Sequence, residues 1–222
     1  QEDAQKISGV GTVYWTKDFD KIFQLLATEA DIFYLNNNEH NRANNEVETR
    51  DERCNKKIRE DYPVHQIKRL APHLHALRFC KSAEEIKLIK EAIAVTARGF
   101  HKVLHMVKPG IKEYEVEAEW AKEFIKRRSK FAYTPIVASG HNACVLHYLQ
   151  NDQTCRKGQL LLMDVGACYA NYNADLTRTI PVSGKFSRRQ KQVYNSVLRV
   201  LRQCIDNATI GKSLKEWQND SH

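Results

Sequence analysis

"LLLMDVGACYANYNADLTRTIPV", residues 160–182, decides how this chain is read. Four apolar residues, Leu160 to Met163, run into a carboxylate, Asp164. A second carboxylate, Asp175, follows eleven positions later in another strand-like run. Short apolar runs bounded by turn residues are the pattern of buried strands. If the stretch folds back as a hairpin centred between Tyr169 and Ala170, the two aspartates become direct cross-strand neighbours. Their Cβ atoms would then lie about 4.5–5.5 Å apart. Like charges at that distance repel, and enclosure raises the cost. Such a pair persists if it shares protons or holds cations, and oxygen-rich sets favour Mn2+, Mg2+ or Zn2+. Carboxylates that bridge two divalent ions about 3.5–4 Å apart are one known solution. On spacing alone, a turn-capping Asp164 with a solvent-facing Asp175 is the favoured reading.

The flanking sequence supplies the layers around this stretch. Ser82 and Glu85 form a capping box, with side chain and backbone satisfying each other in both directions. Ile86, Ile89, Ile93, Ala97, Phe100 and Leu104 then recur at helical spacing, which predicts a long helix ended by Pro109-Gly110. A second helix is predicted over 113–128, with Tyr114, Ala118, Ala121, Phe124 and Ile125 facing inward. Strands are expected at 133–139, 143–149, 159–167 and 173–182, punctuated by Gly140, Asn151-Asp152 and Lys157-Gly158. Ser187 and Gln190 open another helix, with Val193, Tyr194, Val197, Leu201, Cys204 and Ile205 as its stripe and Gly211 as its breaker. Two helices, four strands and a helix argue for an α+β fold, an antiparallel sheet with helices on one side.

Residues 1–80 are less regular. A helix within 13–30 carries Phe19, Ile22, Phe23 and Leu26 on one face, a buried strand follows at 31–36, and polar residues 37–57 pass from loop into helix. These elements are too few to close a domain.

Composition narrows the class. The formal charge is +8, but lysines and arginines are interleaved with acids, as in EEIKLIKEAI (84–93) and EWAKEFIKRR (119–128). A solvated surface is therefore expected, with no nucleic-acid partner. No run approaches the roughly 18 apolar residues of a membrane helix, and no basic-then-apolar leader opens the chain. The six cysteines include no C-x-x-C pair, which argues against a zinc site or disulfide framework and for free thiols in the cytoplasm.

Residues 160–198 resemble the metal-binding core of the pita-bread metallopeptidases, and the aminopeptidase P family in particular. That family places an aspartate at the end of an apolar strand before Gly or Ala, as in LLMDVGA here. Its second aspartate stands eleven positions on, as in ADLTRTIPV. ASGHNACVLHY (138–148) resembles its S-G-x-N-x-x-x-x-H-Y segment, and LRFCKSAEEIKLIKEAIAVTARGF its opening catalytic helix. The resemblance is close over about residues 78–210. It implies that 1–77 is the C-terminal part of a smaller α/β N-terminal domain and that 78–222 is the first half of the catalytic domain.

The resemblance implies Asp164 and Asp175 as metal ligands and His147 as the catalytic histidine near the metals. It also implies two divalent ions, Mn2+ foremost, and a peptide substrate with proline at the second position. The intact protein would be a homo-oligomer that hydrolyses the bond between an N-terminal residue and that proline. A histidine and two glutamates complete the ligand set in this family. All three are expected beyond residue 222, because His222 matches no motif. The chain is therefore read as a fragment without activity of its own. Tyr133 and Arg178 are left outside the site, with Arg178 read as a sheet-edge salt bridge. The alternatives are a prolidase-type X-Pro dipeptidase, a methionine aminopeptidase (disfavoured by the N-terminal segment), or a pita-bread module that binds without catalysis.

Overall fold

The computed structural model describes residues 1–39 and 47–220. Part of the expected loop at 37–57, and His222, lie outside them. The chain divides into two units, Gln1–Lys81 and Ser82–His222.

The first unit holds α1 (Glu2–Ser8), α2 (Phe19–Glu29), β1 (Ile32–Leu35), α3 (Arg50–Asp61), β2 (Gln66–Arg69) and α4 (Ala71–Phe79). β1 and β2 pair in parallel, Ile32 opposite Gln66. Parallel strands need a crossover, and α3 supplies it, opened by a Thr49–Glu52 capping box. Phe23, Phe33, Tyr62 and His65 pack ring against ring, at centroid separations of 4.9–5.9 Å. The stripe expected on α2 is only partly inward, because Phe19 and Leu26 are exposed.

The second unit starts where the first capping box was read. Ser82 and Glu85 cap α5 (Ala83–Met106), and α6 (Glu113–Lys126) follows. Both helices form as expected, and Phe100 and Phe124 of the expected stripes pack inward, but the rest of each inward face is different. α5 buries Ala92, Val95, Thr96, Gly99 and Val103, one position away from the bulkier stripe of Ile86, Ile93 and Leu104, which is exposed. α6 buries Val116, Trp120 and Phe124, leaving Tyr114 and Ile125 outside. The reason is Trp120, whose indole lies across α5 at its smallest residue. A Cβ placed on Gly99 would stand 2.7 Å and 2.8 Å from two indole carbons. Small residues on α5 thus admit a large one from α6, and close approach outweighs the gain from burying isoleucine. Gly99→Ala is expected to cost about 1–3 kcal/mol through overpacking. Urea unfolding reads this directly, and an unchanged midpoint would count against the contact.

The strands form two antiparallel sheets. One orders β3 (Lys130–Phe131), β6 (Ala167–Tyr169) and β7 (Tyr172–Asn173); the other orders β4 (Ile136–Ser139), β5 (Leu160–Val165) and β8 (Leu176–Pro181), with β5 central. Along β5 the side chains alternate. Leu161, Met163 and Val165 are buried in one core with Val95, Val103, Val116, Trp120 and Phe124 of the helices. Leu160, Leu162 and Asp164 point to the other, half-buried face. One face on helices and one partly open is the expected state of an antiparallel sheet.

Two further expectations fail among the strands of this unit. Residues 143–149 are no strand: Gly140–Cys144 forms a 3-10 turn, and an irregular loop follows. The Val145 N–H closes the turn onto the Asn142 carbonyl at 2.9 Å, and the segment pairs with no strand among the described residues. The hairpin also turns one residue later than its centre was placed. Tyr169 pairs with Tyr172, so Ala170 and Asn171 form the two-residue loop, both at positive φ (47° and 66°). Tight hairpin loops need two such residues because their twist then matches that of the strands.

α7 (Arg188–Asn207) opens with the expected Ser187–Gln190 capping box, and α8 (Leu214–Asp220) follows it. No residue of α7 is buried. Val197 and Ile205 are 64 % and 62 % exposed, because no layer among the described residues covers the stripe.

Candidate active site

β5 carries Asp164 into the middle of its sheet, opposite Ile136 of β4 and Thr177 of β8. The observed register places Asp175 diagonally from Asp164, not directly across from it. The two-residue slip keeps the parity of the strand, so the acids stay on one face. Asp164 is half-buried and Asp175 is exposed, so the pair is less enclosed than the apolar flanks imply.

What brings the pair together is Tyr133, from the segment between β3 and β4. Its hydroxyl lies 2.6 Å from Oδ1 of Asp164 and 3.2 Å from Oδ1 of Asp175. One phenolic proton serves two carboxylates. Burial first, and the Asp164 carboxylate next, raise the Tyr133 pKa far above the ordinary phenol value, so it stays a donor. Gly166 makes this approach possible. The Ala174 carbonyl comes so close that any Cβ on Gly166 would collide with it, and the Tyr133 ring would lie 3.2 Å from that Cβ. The Gly166 carbonyl accepts from the Ala132 N–H at 2.8 Å, and the Ala174 N–H donates to Ala167 at 2.9 Å. The glycine that follows Asp164 therefore lets the strand with Asp175 and the segment with Tyr133 both close on it.

His147 stands apart, on the loop after β4, exposed and at φ +54°. It shares no hydrogen bond or ion pair with either aspartate among the described residues. The next residue, Tyr148, is buried, and its hydroxyl donates to Glu113 at 2.8 Å. Burial, with Glu113 second, pushes the Tyr148 phenol up to about 12. Arg178 makes no ion pair among the described residues. It is exposed and donates to the Thr177 carbonyl at 2.8 Å, so the expected salt bridge is absent there. All six cysteines are free, and burial drives the Cys155 thiol up to about 11, which keeps it unreactive.

Sequence reading passed over Tyr133 and Glu113. Tyr133 lies 31 and 42 positions from its partners, a separation no local pattern reports. Glu113 looks like any acid in the first turn of a helix. Its full burial is the informative sign, and only the fold shows it.

Residues 87–222 match Metallopeptidase family M24, and the chain belongs to that family. Proteins of this class act through divalent metal ions. A Haemophilus influenzae protein named Xaa-Pro aminopeptidase is 40 % identical over 150 residues, which is 67 % of this chain and 35 % of that protein. The Escherichia coli Xaa-Pro aminopeptidase is 38 % identical over 146 residues, 65 % of this chain and 33 % of its own. A solved structure of Pseudomonas aeruginosa aminopeptidase PepP matches all of this chain and 50 % of its own, at 32 % identity and a TM-score of 0.86. The chain thus spans about a third of the curated relatives it matches and half of that solved chain. The likeness to aminopeptidase P structures gives the fold as the first half of the pita-bread arrangement.

Among the described residues no group of three or more His, Cys, Asp or Glu side chains is placed to hold a metal ion. Asp164 and Asp175 nonetheless fit one in their chemistry. They are two hard oxygen donors on one side of the sheet, converging on a single hydroxyl. No helix among the described residues is long and apolar enough to cross a membrane.

Proposed function

We propose that the protein carrying this chain is a dinuclear metal-dependent aminopeptidase that removes an N-terminal residue from peptides with proline next in line. The observation that carries this reading is the convergence of Asp164 and Asp175 on the Tyr133 hydroxyl. Two carboxylates held together by one donor retain free lone pairs and net negative charge, which suits divalent cations. Family membership and the names of the relatives support the reaction class.

Asp164 and Asp175 are the ligands assigned to this chain, and a histidine and two glutamates outside it complete the set. Two ions are proposed, with Mn2+ the first candidate for a carboxylate-rich set with one imidazole. When bound, the ions supply a water of lowered pKa and polarise the scissile carbonyl. Tyr133 orients both carboxylates and is a positioning residue. His147 donates a hydrogen bond to the substrate oxygen on which charge grows, and an exposed, backbone-strained histidine is suited to reach outward.

The test uses the full-length protein. It is expected to release the first residue of X-Pro-Z tripeptides in a Mn2+-dependent reaction, and to show a tight Mn2+ step by isothermal titration calorimetry. Cleavage of X-Pro dipeptides alone would convert the reading to a prolidase. The absence of any tight metal step would point to a binding module. Residues 1–222 alone are expected to release nothing from the same peptides.

A further inference from the structure

Glu113 is a carboxylate with no exposed surface, at the first position of α6. Its Oε1 accepts from the Ser139 N–H at 2.6 Å and the Ser139 hydroxyl at 2.7 Å. Its Oε2 accepts from the Tyr148 hydroxyl at 2.8 Å and the Gln153 N–H at 3.0 Å. Buried carboxylates are tolerated only when so satisfied, and a helix N-terminus adds favourable dipole. The four donors come from both ends of one loop, Ser139 at its start and Tyr148 and Gln153 at its end. A second buried side chain, Asn151, reinforces that end. It accepts from the Val137 N–H at 2.9 Å and donates to Glu117 at 2.9 Å and to the Pro135 carbonyl at 3.0 Å.

Between the clamps the chain makes the Gly140–Cys144 turn and then runs irregularly to His147, the last residue before the anchored Tyr148. His147 is exposed and held at φ +54°, immediately before the anchored Tyr148. We infer that Glu113 is a positioning residue that fixes the backbone, and hence the imidazole, of His147 through Tyr148. The inference rests on the role proposed above for His147. Fixed placement matters because a shift of about 1 Å in a reacting group can cost on the order of 100-fold in rate.

Chemistry dictates the choice of variants. In Glu113→Gln the amide presents one oxygen and one NH2. Whichever way it turns, the NH2 faces the backbone N–H of either Ser139 or Gln153, and neither can turn to accept. Tyr148→Phe removes a single hydroxyl and leaves the ring in place.

The experiment is a mutant cycle on the full-length protein, assayed with an X-Pro-Z tripeptide well below its unfolding temperature. His147→Ala is expected to lower kcat about 100-fold. Glu113→Gln and Tyr148→Phe are each expected to lower kcat about tenfold or more, with KM and Mn2+ affinity unchanged. On the His147→Ala background neither should lower it further, since residues acting through one group are not additive. In the metal-free protein the ring 1H–13C resonance of His147 should move in Tyr148→Phe. If His147→Ala leaves kcat intact, the role proposed for His147 fails, and the inference falls with it. If His147→Ala does lower kcat, then an unchanged kcat in Glu113→Gln or Tyr148→Phe overturns this inference alone. So does an equal loss on the His147→Ala background, or an unmoved resonance. Should Glu113→Gln not fold, Tyr148→Phe decides.

Discussion

Gly166→Ala is expected to destabilise the second unit by at least about 3 kcal/mol, toward the severe end of single substitutions. Most overpacking is relieved by rotating a side chain, but here the obstacle is backbone. The Ala174 carbonyl oxygen occupies the space a Cβ would need, and its carbon would stand 2.7 Å from that Cβ. Neither group can rotate away without opening the hairpin. Opening it breaks the bond from Ala174 to Ala167 and strains the bond from Ala132 to Gly166. The same motion withdraws Tyr133 and Asp175 from Asp164, so loss of stability and loss of metal binding should appear together. Urea denaturation followed by circular dichroism measures the first. A midpoint within experimental error of the parent would contradict the close approach of Ala174 to Gly166.

Asp175→Asn and Asp164→Asn in the full-length protein should each reduce activity by about 1,000-fold or more, since metal-borne charge stabilisation is worth several kcal/mol. Mn2+ affinity should fall with it. Tyr133→Phe touches the ligands only indirectly and should cost about 10–100-fold in affinity or activity. The metal-free protein provides the contrasting sign. Two carboxylates on one face repel, so Asp175→Asn should leave apo stability unchanged or raise it slightly. If the acids were there only as acceptors for Tyr133, the asparagine variants would lower apo stability and spare Mn2+ binding. Thermal unfolding in EDTA beside calorimetry in Mn2+ separates the two cases.

Whatever depends on near neighbours was legible in the sequence. The Ser82–Glu85 and Ser187–Gln190 capping boxes open α5 and α7, because a cap is satisfied within one turn of chain. The apolar run that leads into Asp164 and the run that follows Asp175 read as strands for the same reason. Facing and register were not legible, because distant residues decide them. Trp120 selects the inward face of α5 by fitting over Gly99, against the pull of the larger isoleucines. Two backbone conformations at Ala170 and Asn171 shift the hairpin by one position, which moves Asp175 from opposite Asp164 to a diagonal. Parity survives that slip, so the acids were placed on a common face even though the pairing was misjudged. His147 was misplaced in a strand because the Glu113 and Asn151 clamps that hold its loop lie outside the local pattern. The sequence by itself determined the capped helices α5 and α7, the strand that ends near Asp164 and the common face of the two acids, through interactions a few residues long. Only the tertiary structure decided what those acids touch, because Tyr133 and Glu113 reach their partners across 26 to 42 residues of chain.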